Sequence, residues 1–134
     1  MRSTLRFPML LVGLVLAACG GDGSNGIGPG NQLQVTNAAD DFQLQVTNLN
    51  NVRETLQYSW VNTGDSASIN QATVLTGGTA TLTIRGPDNA VVYQSDLVGN
   101  GTFQSALSTV GTWSIELKLR GADGDVNFRV QKAP

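Results

Sequence analysis

Trp113-Ser-Ile-Glu-Leu-Lys-Leu-Arg-Gly-Ala-Asp-Gly-Asp-Val-Asn-Phe-Arg-Val130 is the stretch whose reading decides the fold. Apolar and polar residues alternate on both sides of Gly121-Ala-Asp-Gly124, the period expected of half-buried strands. Read as a four-residue hairpin loop, Gly121 to Gly124 pairs Arg120 with Asp125. Leu119 then faces Val126, Leu117 faces Phe128 and Ile115 faces Val130, so apolar meets apolar on one face. The same operation around Gly86-Pro-Asp-Asn89 sets Ile84 opposite Val91 and Leu82 opposite Tyr93. Two such agreements predict an all-β chain, and no segment after residue 20 has the spacing of an amphipathic helix.

Working outward, the period stays near two. Leu56, Tyr58 and Trp60 share a face, followed by a turn at Asn62-Thr-Gly-Asp-Ser66. Ala67 and Ile69 mark a further strand, and Phe103 another. Upstream, Gln32-Leu-Gln-Val-Thr-Asn37 recurs without change as Gln43-Leu-Gln-Val-Thr-Asn48, eleven residues later. The second copy, extended by Phe42, has the better core face in Phe42, Leu44 and Val46. The first is either an extra edge strand or an ordered part of a tether. Such a duplication also offers two equivalent pairings between which a strand could slip. About seven or eight short strands with regular turns predict a small antiparallel β-sandwich over residues 32–134. A closed barrel is the competing architecture. A membrane barrel would need eight strands of 9 to 11 residues, which the chain does not supply.

The N-terminal part reads differently. Arg2 and Arg6 precede a twelve-residue, almost unbroken apolar run from Phe7 to Ala18. That is too short for a membrane span, which needs roughly 20 residues, and has the three-part form of a secretory signal. Leu16-Ala17-Ala18-Cys19 resembles the lipobox of bacterial lipoproteins. The resemblance implies lipid on the Cys19 thiol, cleavage before it, and anchoring by acyl chains of the palmitate type. With two or more chains the attachment is effectively permanent, at about 0.8 kcal/mol per buried CH₂. Gly20, where an Asp would favour the inner membrane, implies the outer membrane if the organism is Gram-negative. Gly20 to Asn31 holds six glycines, so residues 19–31 read as a flexible tether.

Without residues 1–18, 116 residues remain, with six basic and ten acidic side chains and a net charge near −4. The basic residues are scattered along the sequence, which argues against a nucleic-acid partner. The chain has no histidine and Cys19 is its one cysteine, which excludes a Ser-His-Asp triad, His-ligated zinc and an internal disulfide. No cofactor is implied. Glu54 and Glu116 are the two glutamates, and Glu116 reads as part of a solvated strand face with Lys118 and Arg120. Asp123, Asp125 and Asn127 alternate like the start of a calcium loop, but Phe128 occupies the position where such a loop needs glycine. Tyr58, Trp60, Tyr93 and Trp113 could make a sugar-stacking platform. They fall in step with inward-facing aliphatic residues, and Trp113 is the one expected near a sheet end and partly exposed.

Ala80-Thr-Leu-Thr-Ile-Arg-Gly-Pro-Asp-Asn89, Val91-Val-Tyr93, Gly111-Thr-Trp-Ser-Ile-Glu-Leu117 and Gly124-Asp-Val-Asn-Phe-Arg-Val130 resemble the pre-peptidase C-terminal type of secreted β-sandwich. The acidic positions that make cation sites in some members have no clear counterparts. The resemblance implies a non-catalytic accessory module. The expected function is therefore a lipid-anchored cell-envelope protein whose sandwich binds an envelope protein or glycan. The alternative is an assembly role through β-strand addition to a partner.

Overall fold

The computed structural model describes residues 26–134. The leader, with Leu16, Ala17, Ala18 and Cys19, and residues 20–25 of the tether lie outside them. The fold is all-β and antiparallel, with strands β1 Gln34–Ala38, β2 Asp41–Asn62, β3 Ala67–Gln71, β4 Val74–Arg85, β5 Val91–Ser95, β6 Gly101–Gln104 and β7 Gly111–Lys132. They form one hydrogen-bonded sheet in the order β1-β2-β7-β3-β6, with β4 between β7 and β5.

Strands β2 and β7 have 22 residues each and pair from Asp41 opposite Gln131 to Asn62 opposite Gly111. They are not straight. The rings of Phe42 and Tyr58, both on β2, lie 5.2 Å apart, whereas an extended run of that length would separate them by about 50 Å. The ribbon is therefore folded back on itself. One half-sheet contains β1, the start of β2, the end of β7, β3 and β6. The other contains the end of β2, the start of β7, β4 and β5. Their inner faces meet as the two layers of a sandwich.

The bend has a chemical cause. Register breaks fall between Val46 and Glu54 on β2 and between Leu75 and Thr79 on β4. Positive φ occurs alongside them, at Asn48 (56°), Asn51 (52°), Gly78 (69°), Gly121 (59°) and Gly124 (121°). Bulges of this kind bend and twist a strand, and glycine and asparagine tolerate them best. At Gly124 a Cβ would stand 2.3 Å from the Val74 carbonyl oxygen, so no other residue fits without movement. Asp125 accepts the Asn48 N–H at 2.9 Å, and Asp123 accepts the Asn51 N–H at 2.8 Å. These two carboxylates hold the bulged backbone in place.

This corrects the hairpin expected at Gly121–Gly124. Strand β7 runs through those residues as a kink, and Leu117 is opposite Leu56 and Leu82, while Phe128 is opposite Leu44 and Gln71. A turn and a bulged fold-back place the same apolar residues inward, so local alternation fits both. The hairpin at Gly86–Asn89 forms, but Ile84 pairs with Tyr93 and Leu82 with Ser95. A bulge makes Val92 the extra residue, and Val92 is the one that is buried.

Phe42, Leu44, Val46, Ile69, Phe128 and Val130 fill one side of the core and Trp60, Leu82, Ile84, Trp113, Ile115 and Leu117 the other. Each large apolar side chain so buried contributes about 1.5–3 kcal/mol. Phe42 stacks on Phe128 and Trp60 meets Trp113 edge-on, both at 6.0 Å. At the open end of the fold Asp40 ties the strand termini together. Its N–H donates to the Val61 carbonyl, its carbonyl accepts from Lys132 N, and its carboxylate accepts from the Thr63 N–H and hydroxyl.

Gln34 to Asn37 of the first repeat copy lie in the edge strand β1, which Gln32 and Leu33 precede. It pairs with the second copy, with Gln34 opposite Gln45, Val35 opposite Leu44 and Thr36 opposite Gln43. Residues 29–31, read from the sequence as tether, form a 3-10 turn against β2. Asn31 Nδ2 donates to the Thr47 and Asn48 carbonyls, and Ile27 N–H donates to Glu54 Oε1.

Candidate functional site

The outer face of the second half-sheet carries a cleft. Alternation along each strand turns Trp60, Ile115 and Leu82 inward, so their neighbours face out. Register then aligns these neighbours in rungs. Gln57, Glu116, Thr83 and Gln94 form one, and Ser59, Ser114 and Arg85 form the next. The cleft they border has a volume of about 470 Å³ and is lined by Gln57, Tyr58, Ser59, Arg85, Asn89, Ser114, Ile115 and Glu116. Arg85 Nη1 donates to the Asn89 carbonyl at 3.1 Å, which fixes the guanidinium at one wall. Gln94 Nε2 donates to Thr83 Oγ1 at 3.0 Å and orders the adjoining rung. Partial burial, with the nearby Glu54 charge, holds the Tyr58 hydroxyl above its usual pKa, so it stays protonated.

Toward the bend the same face becomes cationic. A second cleft of about 360 Å³ lies between Arg53, Glu54, Thr55, Lys118, Leu119 and Arg120. Three of the basic residues that look scattered in sequence are thus brought together. The surface as a whole presents amides, hydroxyls, guanidiniums and carboxylates, an arrangement for hydrogen bonding in an open groove. Pockets for apolar small molecules are enclosed and lined by apolar side chains; this one is neither.

The residues singled out from sequence fall in several places. Glu116 is in the first cleft, while Glu54 borders the second and accepts the Ile27 N–H. Asp123 and Asp125 serve the bend, and Asn127 accepts from Ala72 N and Thr73 Oγ1 through its carbonyl. Among the described residues no three His, Cys, Asp or Glu side chains cluster for a metal ion. Trp113 does not reach the surface as expected. It is 1% exposed, and its Nε1–H donates to the Thr109 carbonyl at 2.9 Å. Tyr93 is half-buried with its hydroxyl on Gln71 Oε1. The aromatic residues therefore build the core, and no stacking platform forms from them. Gln57, Ser59, Arg85, Asn89 and Ser114 were not legible as a group. Each sits at a polar position of its strand, but grouping them requires knowing that β2, β7 and β4 are neighbours.

No family model matches the chain, and no curated protein matches it. Among solved structures it is similar to the carbohydrate-binding module CBM6cm-2 of Cellvibrio mixtus lichenase 5A, determined in complex with cellotriose. The identity is 15% and the TM-score 0.46, over 79% of this chain and 89% of that chain.

Proposed function

We propose that this chain is a lipid-anchored cell-envelope protein whose β-sandwich is a non-catalytic module that binds glycan. The anchor reading rests on Arg2, Arg6, the apolar run and Leu16-Ala17-Ala18-Cys19. The glycan reading rests on one observation, the open polar cleft bordered by Gln57, Ser59, Arg85, Asn89, Ser114 and Glu116. Sugars are recognised through hydroxyls that both donate and accept, and amides, serines, a guanidinium and a carboxylate answer both needs. Arg53, Lys118 and Arg120 beside the cleft favour a polysaccharide carrying some acidic groups.

Crosslinking intact cells that make the full-length chain, followed by purification through a C-terminal tag, tests both parts. Envelope polysaccharide is expected to co-purify, and the Cys19→Ala variant is expected to leave the membrane fraction. A membrane fraction unchanged by Cys19→Ala would contradict the anchor. Recovery of protein partners without glycan would contradict the ligand.

A second reading has its own observation. Among the described residues, strand β1 is exposed along its whole length and has an open edge. It contains no proline, no charge and no bulge, the devices that normally protect a sheet edge. That favours strand addition to a partner.

A further inference from the structure

Resting on this second reading, the duplicated segment identifies the partner of β1. Within the chain, Gln34-Val-Thr36 of the first copy already pairs with Gln43-Leu-Gln45 of the second. The register sets Gln34 opposite Gln45, the same position in both copies, and Val35 opposite Leu44, which occupies the place of Leu33 in the repeat. The segment is thus self-complementary in antiparallel orientation. Among the described residues only one of its two pairing edges is used in β1, since β1 ends the sheet.

We propose that β1 is a homotypic docking edge, at which two copies of this chain pair their Gln32–Asn37 segments about a twofold axis at Gln34. Transferring the observed register gives Gln34 opposite its own equivalent and Leu33 opposite the second copy's Val35. Such a self-complementary contact is what a closed dimer needs. Side-chain direction agrees. Val35 is opposite the buried Leu44 and so lies on the inner face; Leu33 directly precedes β1, and extending the strand by that one residue would place it on the same face. Leu33 and Val35 remain 38% and 36% exposed, because no described strand flanks them at the edge. Pairing joins the two residues of each copy in one apolar row that continues both cores. The half-sheets β1-β2-β7-β3-β6 of the two copies become one ten-stranded sheet. The other edge of this half-sheet, β6, is equally exposed, but its sequence is not repeated.

The test is disulfide trapping of the full-length chain in the membranes of cells that make it. Gln34→Cys puts two sulfurs face to face across the axis. Leu33→Cys or Val35→Cys alone leaves them two residues out of register, beyond disulfide reach. Gln34→Cys is therefore expected to give covalent dimer at least about tenfold above either of the others alone. Co-producing Leu33→Cys and Val35→Cys chains with different tags should restore the mixed dimer. The parent chain sets the background from Cys19, and Val35→Lys in the Gln34→Cys chain should abolish the dimer without unfolding the protein. Equal trapping at all three positions, or none at Gln34→Cys, would overturn the proposal. Trapping of a different protein at Gln34→Cys would overturn it too, yet leave strand addition standing. With no partner trapped of either kind, both readings fall.

Discussion

The two copies of Gln-Leu-Gln-Val-Thr-Asn have one sequence and opposite fates. Leu44 and Val46 are wholly buried, while Leu33 and Val35 stand at the surface. The second copy has β1 on one side, β7 on the other and the opposing half-sheet above it. Among the described strands the first has a neighbour on one side only. Even the final asparagine differs. Asn48 enters the bend at positive φ, whereas Asn37 stays extended and donates from Nδ2 to the Ser59 carbonyl. Intrinsic preference supplies a strand in both cases. Position in the sheet decides whether that strand is core or exposed edge.

The sharpest way to break this comparison is to truncate the equivalent leucines. Leu44→Ala should destabilise the fold by about 2–5 kcal/mol, the usual effect of emptying a packed site. Leu33→Ala should change monomer stability by no more than about 0.5 kcal/mol. Chemical denaturation of the two variants side by side decides it; equal losses would mean that the copies exchange places. Next in size is the bend that gives the second copy its opposing layer. Gly124→Ala, forced into positive φ against the Val74 carbonyl, should cost about 1–3 kcal/mol. A neutral result would show that the fold-back does not depend on this glycine.

The asparagines sharpen the contrast on a smaller scale. Asn48→Ala carries a left-handed backbone penalty of about 1–2 kcal/mol that Asn48→Gly should avoid. Asn37→Ala loses one exposed hydrogen bond and should cost no more than about 1 kcal/mol. Thermal melts of the three variants measure it. The least effect is expected from acid, acting on the turn between the copies. Thr63 hydrogen bonds, with the Lys132 charge, hold the Asp40 carboxyl below its usual range, and Arg129 does the same for Asp41. Both groups are more acidic folded than unfolded. Their stabilisation is complete above the ordinary carboxylate value of about 3.9 and disappears as pH falls through the lowered folded values. A melting-temperature series below pH 4 should fall less steeply for Asp40→Asn than for the parent chain. Identical slopes would remove Asp40 from the clasp.

Period-two alternation made the β class legible, along with most strand positions and the inward-facing aromatics. It did not make the topology legible. At Gly121–Gly124 glycine's freedom serves a hairpin and a bulged fold-back alike, and either one keeps Leu117 and Phe128 on the inner face. Asp123 and Asp125 looked like ligand positions because alternating carboxylates also suit bulge capping, and only the chain opposite reveals which N–H groups they meet. The cleft was hidden for a related reason. Gln57, Arg85 and Ser114 come from three strands far apart in sequence, and their adjacency is set by the nonlocal pairing of β2, β7 and β4. The lipobox-like motif is local and needs no such pairing to be read.

Two surfaces of one small sandwich are thus proposed to have different tasks, the polar cleft to bind glycan and the β1 edge to meet a second copy. Retention of the intact chain on isolated envelope polysaccharide, with Arg85→Ala and Val35→Lys compared in one experiment, tests the glycan assignment most directly. Loss of a charged hydrogen-bonding group predicts at least about tenfold weaker retention for Arg85→Ala, with Val35→Lys indistinguishable from the parent. Unchanged retention of Arg85→Ala, or loss confined to Val35→Lys, would contradict the assignment of the cleft.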